Sequence, residues 1–141
     1  MALFHVELHG NKGTVELIAG EYENTKGPAR TFSPLHLSNT RLNTNAEVKF
    51  NFPAEWNTGI LVVEGKANIN DSEVHQDHFV LFENAGERIS IKAVEPSILL
   101  VMSAEPINEP IAQYGPFLMN TWEEVEQAIT DVSRGKFGTL E

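Results

Sequence analysis

The sequence predicts a mainly β protein, an antiparallel β-barrel or jelly roll followed by one C-terminal amphipathic α-helix. Three observations predict it. Short runs of apolar residues recur about every ten residues over positions 1–104, a spacing that sandwiches and barrels share. Gly, Asn and Pro separate those runs. After residue 104 the apolar period changes from that of a strand to that of a helix.

The strands follow in order. In TVELIAG, Val15, Leu17 and Ala19 alternate with their neighbours, and a loop, EYENTKGPARTFSP (21–34), comes next. Leu35, Leu37 and Leu42 lie along LHLSNTRL, with His36 on the polar phase beside the first two. Val48, Phe50 and Phe52 alternate with Lys49 and Asn51 until Pro53 stops the strand. GILVVEG (59–65) is a more continuous apolar run, as in a strand covered on both faces. Val74, HFVLF (78–82), RISIKA (88–93) and SILLVMSA (97–104) complete the series.

The helix carries its own start and stop signals. Thr121 is a candidate N-cap, and Glu124 three residues later completes a capping box. Trp122, Val125, Ile129 and Val132 recur at helical spacing, with Ala128 beside them, so this face is expected to be the packed one. Glu123, Glu124 and Glu126 lie near the positive end of the helix dipole, and Arg134 and Lys136 near the negative end. Gly135 is placed to end the helix.

Composition excludes several function classes. The 141 residues are one domain's worth of chain, and 41% apolar content can fill one core. With no cysteine there is no disulfide, zinc-thiolate site, iron–sulfur cluster or thiolate nucleophile, which fits a reducing compartment. Twenty acidic against ten scattered basic residues give a net charge of −10, which disfavours contact with nucleic-acid phosphates. No apolar run reaches the ~20 residues that span a bilayer, and the first residues lack a basic signal-peptide region. The expectation is a cytoplasmic protein, or a nuclear one in a eukaryote, that binds neither nucleic acid nor membrane directly.

Three segments give the chain a family likeness. AGEYENTKGPART (19–31) opens it, VVEGKA (62–67) is a strand-turn that many cupins share, and EPIAQYGPFLMNT (109–121) leads into the capped helix and GKFG (135–138). Together they resemble the second barrel of the pirin family, whose members carry two cupin barrels in one chain. The resemblance implies a single cupin over residues 1–141, with strands over about 3–104, a loop over 105–120 and a helix over about 121–134. It implies too that the family's metal chemistry belongs to a first barrel of similar size, here supplied elsewhere or absent from a stand-alone relative.

Cupin metal sites place H-x-H on one strand, a carboxylate nearby and a further histidine on a later strand; alternate residues of a strand aim the same way. Counting back from Glu64-Gly65 puts the H-x-H positions near Asn51 and Pro53, with no histidine between His36 and His75. None follows His78 either. The expectation is therefore no metal and no cofactor on this chain, and no catalytic residue. His5 and His9 read as solvated, and His75 and His78, three apart, point to opposite faces of a strand. His36 reads as a surface or rim histidine, although a site built from His36, His78 and a distant acid stays open. No G-x-S-x-G elbow, Walker loop or G-x-G-x-x-G is present.

Two aromatic groups remain as pocket or interface candidates with His36 and His78. Trp56, in the polar loop FPAEWNTG, reads either as a ligand platform or interface anchor, or as a cover for the core edge. Tyr114 and Phe117 flank a Gly-Pro turn and read chiefly as a rigid passage and barrel plug, secondarily as a pocket lining. Three functions compete: a metal-free pirin-like structural, protein-interaction or regulatory domain; part of a pirin-type quercetin 2,3-dioxygenase whose metal-binding cupin is on a missing or partner chain; and a binder of small apolar ligands. A covered second-barrel face suggests a homodimer or a pirin-type N-terminal cupin as partner.

Overall fold

The computed structural model describes residues 4–139. Residue 3, where the strand region was expected to begin, lies outside them. Fourteen strands and one helix follow one another: β1 Phe4–Leu8, β2 Gly13–Ala19, β3 Glu21–Tyr22, β4 Thr25–Lys26, β5 Leu35–Leu42, β6 Glu47–Asn51, β7 Asn57–Glu64, β8 Lys66–Ile69, β9 Ser72–His75, β10 Phe79–Leu81, β11 Arg88–Ala93, β12 Ser97–Ala104, β13 Ala112–Tyr114, β14 Phe117–Met119 and α1 Trp122–Ser133. The chain divides into two compact units, Met1–Pro106 and Ile107–Glu141.

The first unit is built from two main antiparallel sheets. One has six strands in the order β1-β2-β5-β12-β7-β10, the other four in the order β6-β11-β8-β9. The sheets stay separate rather than closing into a barrel, so of the two forms expected the jelly roll is the one adopted. Val15, Leu17, Ile60, Val62, Leu99 and Val101 of the larger sheet share one core with Val48, Phe50, Ile69, Ile89 and Ile91 of the smaller. That core forms because each strand sends alternate side chains to one face. The loop expected over 21–34 contains the short hairpin β3–β4.

The phase of β5 is the reverse of the one expected. His36, Ser38, Thr40 and Leu42 are buried, whereas Leu35 and Leu37 are half-buried on the other face. β5 lies in the middle of its sheet between β2 and β12. A central strand can be apolar on both faces, and then leucines do not reveal which phase points inward. His36 is 3% exposed, so it is an interior histidine and not a surface or rim one.

In the second unit, the expected loop over 105–120 holds the hairpin β13–β14, with Tyr114 opposite Phe117. The helix starts as expected: Thr121 accepts from the Glu124 backbone N–H, and Glu124 returns a bond to the cap backbone. Gly135 follows with φ of 70°, the left-handed stop a glycine makes cheap. The buried face is narrower than expected. Val125 and Ala128 are buried, but Trp122, Ile129 and Val132 are exposed. No helix among the described residues is long and apolar enough to cross a membrane.

Candidate functional site

The interior of the larger sheet changes chemistry along its strands. Across β5, β12 and β7, His36 is paired with Ser103, and Ser103 with Thr58. All three are buried. The two rows beside them are apolar on β2, β12 and β7: Leu17, Val101 and Ile60 around Ser38, then Val15, Leu99 and Val62 around Thr40. The result is a sandwich with one polar end.

Hydrogen bonds fix that end. The Thr58 and Ser103 hydroxyls lie 2.7 Å apart and satisfy each other. His36 Nδ1 is 3.3 Å from the Glu21 backbone carbonyl, and Nε2 is 2.8 Å from Ser38 Oγ. A carbonyl only accepts, so Nδ1 carries the proton and Nε2 accepts from the Ser38 hydroxyl. Burial pushes the His36 pKa down to about 4, partly offset by the bond to Glu21, so the ring is neutral at pH 7. Its one lone pair is thus already occupied. Thr40, deeper on β5, has a buried hydroxyl with no hydrogen-bond partner.

Aromatic rings continue from the imidazole toward solvent. His36 meets Phe50 edge-on at 5.4 Å between centroids and lies 5.0 Å from Phe52. Phe52 stacks on Phe50 and, on the other side, lies nearly parallel to the half-buried Trp56, at 11° and 6.5 Å. Beyond them opens a cavity of about 730 Å³, bordered by His36, Phe52, Trp56, Asn51, Lys26 and Arg30 among others. Here Trp56 acts both as core-edge cover and as cavity wall.

The donor set does not fit a cupin metal centre. Phe50 and Phe52 are the inward residues of this segment, while Asn51 and Pro53, the expected H-x-H positions, are exposed. The count back from Glu64-Gly65 therefore falls on the outward phase, and the inward places hold hydrocarbon rings. The buried polar side chains that share this end with His36 are Ser38, Thr58 and Ser103, which are poor transition-metal ligands at neutral pH. Among the described residues no three His, Cys, Asp or Glu side chains come together as a metal-binding group.

Within this unit, His78 is not gathered here. His78 is exposed on the turn between β9 and β10, with Nδ1 bonded to the Gln76 carbonyl at 3.0 Å. His75 pairs with Glu73 at 3.2 Å, and the two imidazoles lie 6.3 Å apart. Tyr114 and Phe117 belong to the second unit's hairpin, where Tyr114 is largely exposed. Sequence reasoning missed Ser38, Thr58, Ser103, Lys26 and Arg30. β5 carries no decisive signal in its sequence, because Leu35 and Leu37 fall on one phase and Leu42, with His36 and Ser38, on the other.

Comparison with known proteins places this architecture. Residues 37–138 match the family model of the Pirin C-terminal cupin domain. Among curated proteins, a pirin-like protein from Solanum lycopersicum is 34% identical over 129 residues, covering 89% of this chain and 44% of the relative. Pirin from Homo sapiens is 30% identical over 130 residues, covering 89% and 45%. A solved quercetin 2,3-dioxygenase from Acinetobacter baumannii superposes with a TM-score of 0.88 at 35% identity, covering 99% of this chain and 49% of that one. The chain spans about half the length of the curated relatives it matches.

Proposed function

The chain belongs to the pirin family through its C-terminal cupin domain, and from that premise we propose that it serves as the family's metal-free half. In this reading it is a structural and protein-interaction cupin that supports a partner barrel and performs no redox step itself. One observation carries the proposal: the single inward imidazole, His36, is neutral, buried and committed through both nitrogens to Glu21 and Ser38. A histidine so engaged holds the strand β5 to the β3 turn; it has no lone pair left for a ligand. The partner in this proposal is a pirin-type N-terminal cupin, with self-association as the substitute when that barrel is lacking.

A second reading follows from the names of relatives. The Acinetobacter baumannii protein is called a quercetin 2,3-dioxygenase, and this chain matches 49% of it. On that basis the chain contributes to flavonol oxidation as the supporting half of a two-cupin enzyme. The test is reconstitution. The chain alone, the other half of the Acinetobacter baumannii protein alone, and the two mixed are assayed for quercetin consumption and for co-elution on a sizing column. Co-elution with no turnover by this chain alone is expected. Turnover by this chain alone overturns the metal-free reading, and failure to co-elute overturns the partner-barrel reading.

A further inference from the structure

The geometry points to a binding site for a small aromatic carboxylate at the polar end of the sandwich, with the ring against Trp56 and Phe52 and the carboxylate at Lys26 and Arg30. The cavity of about 730 Å³ is of the size that takes small organic ligands. It holds two cations against one acid, Glu21, in a chain whose net charge is −10. Glu21 lies 3.7 Å from Lys26, and Arg30 has no ion pair among the described residues. A planar guanidinium without a carboxylate partner is suited to a bidentate bond with one.

The walls are held in place. Gly27 donates to the Gly20 carbonyl at 2.8 Å and Ala29 to the Ile18 carbonyl at 3.0 Å, tying the segment that carries Lys26 and Arg30 to β2. Gly27 lies so close to that strand that a Cβ would come within 2.8 Å of the Ala19 nitrogen. On the other wall, Phe52 donates its N–H to the Glu87 carbonyl at 2.9 Å, and Trp56 its N–H to the Pro53 carbonyl at 3.0 Å. Phe52 is buried while Trp56 is only half-buried, and the two rings lie nearly parallel, so the indole borders the cavity beside a fixed ring. Neutral His36 borders the cavity without adding charge, leaving selection for an anion to Lys26 and Arg30. Every residue that lines the site lies between positions 20 and 56, so this chain supplies all of its walls.

The test is a titration of the isotope-labelled chain with trans-cinnamate, followed on the tryptophan indole N–H signals. Trp122→Phe identifies the Trp56 signal, since the chain has two tryptophans. A saturable shift of the Trp56 signal is expected. Cinnamamide, equal in shape but uncharged, should bind about tenfold more weakly, as should cinnamate to the exposed-site variants Arg30→Gln and Lys26→Gln combined. The site is overturned by a Trp56 signal that does not saturate, by equal affinity for acid and amide, or by full affinity in the combined variant. An intact spectrum elsewhere confirms that the variant is folded, and metal analysis of the same sample reports on the metal-free reading separately.

Discussion

The middle of the sandwich and its His36 end are built on the same strands with opposite chemistry. In the middle, Leu17, Val101 and Ile60 and then Val15, Leu99 and Val62 line the larger sheet, each with essentially no exposure. One step along those strands, His36, Ser103 and Thr58 take the same inward places. The middle holds the two sheets together by removing hydrocarbon from water. The end cannot do so, and its groups are kept by hydrogen bonds that must all be made. Stability resides in the first region, and the second borders the cavity of the proposed ligand site.

Substitutions can break or sharpen this contrast. The largest effect is expected in the middle: Leu99→Ala should cost roughly 2–5 kcal/mol in chemical denaturation, by lost burial and a residual cavity. At the polar end the signature is pH. The folded His36 pKa of about 4 lies below the ordinary 6.5, so between those values the unfolded chain binds a proton that the folded chain refuses. Stability therefore falls as pH drops from about 6.5 to 4, by roughly 3 kcal/mol in all. His36→Phe should flatten that part of the stability–pH curve relative to the parent; an unchanged curve would contradict the interior placement.

Smaller effects test single bonds. Thr58→Val should cost about 1–3 kcal/mol because it leaves the buried Ser103 hydroxyl alone, and adding Ser103→Ala should recover much of the loss. Thr121→Ala should cost about 1 kcal/mol through the helix cap, read as a shift in denaturation midpoint. Ile129→Ala should cost less than about 1 kcal/mol, because that residue is 37% exposed. A loss for Ile129→Ala as large as for Leu99→Ala would mean the helix face is covered in solution, by a second copy or another partner.

Much of the fold was legible in the sequence. Alternation at Val48, Phe50 and Phe52 showed a strand with one inward face, and Thr121 with Glu124 marked the helix start to the residue. The candidate site was read less well. The leucines of β5 suggested the wrong face because this central strand carries leucine on both faces, Leu35 and Leu37 on the half-buried one and Leu42 on the buried one. The helix face was read too wide, since periodicity tells which residues share a side but not how much of that side is covered. Of the candidates in the first unit, His36 and Trp56 border the cavity and His78 does not. Lys26 and Arg30 carried no signal at all, because a turn brings them to the cavity and turns have no period.

The central claim is that His36 is a hydrogen-bonded structural histidine in a cupin without a metal donor set. Its most direct test is elemental analysis of the chain purified from cells grown with added iron, nickel, manganese and zinc, done on the parent and on His36→Ala. The account predicts no stoichiometric metal in either protein. One bound metal per parent chain, lost in His36→Ala, would contradict it.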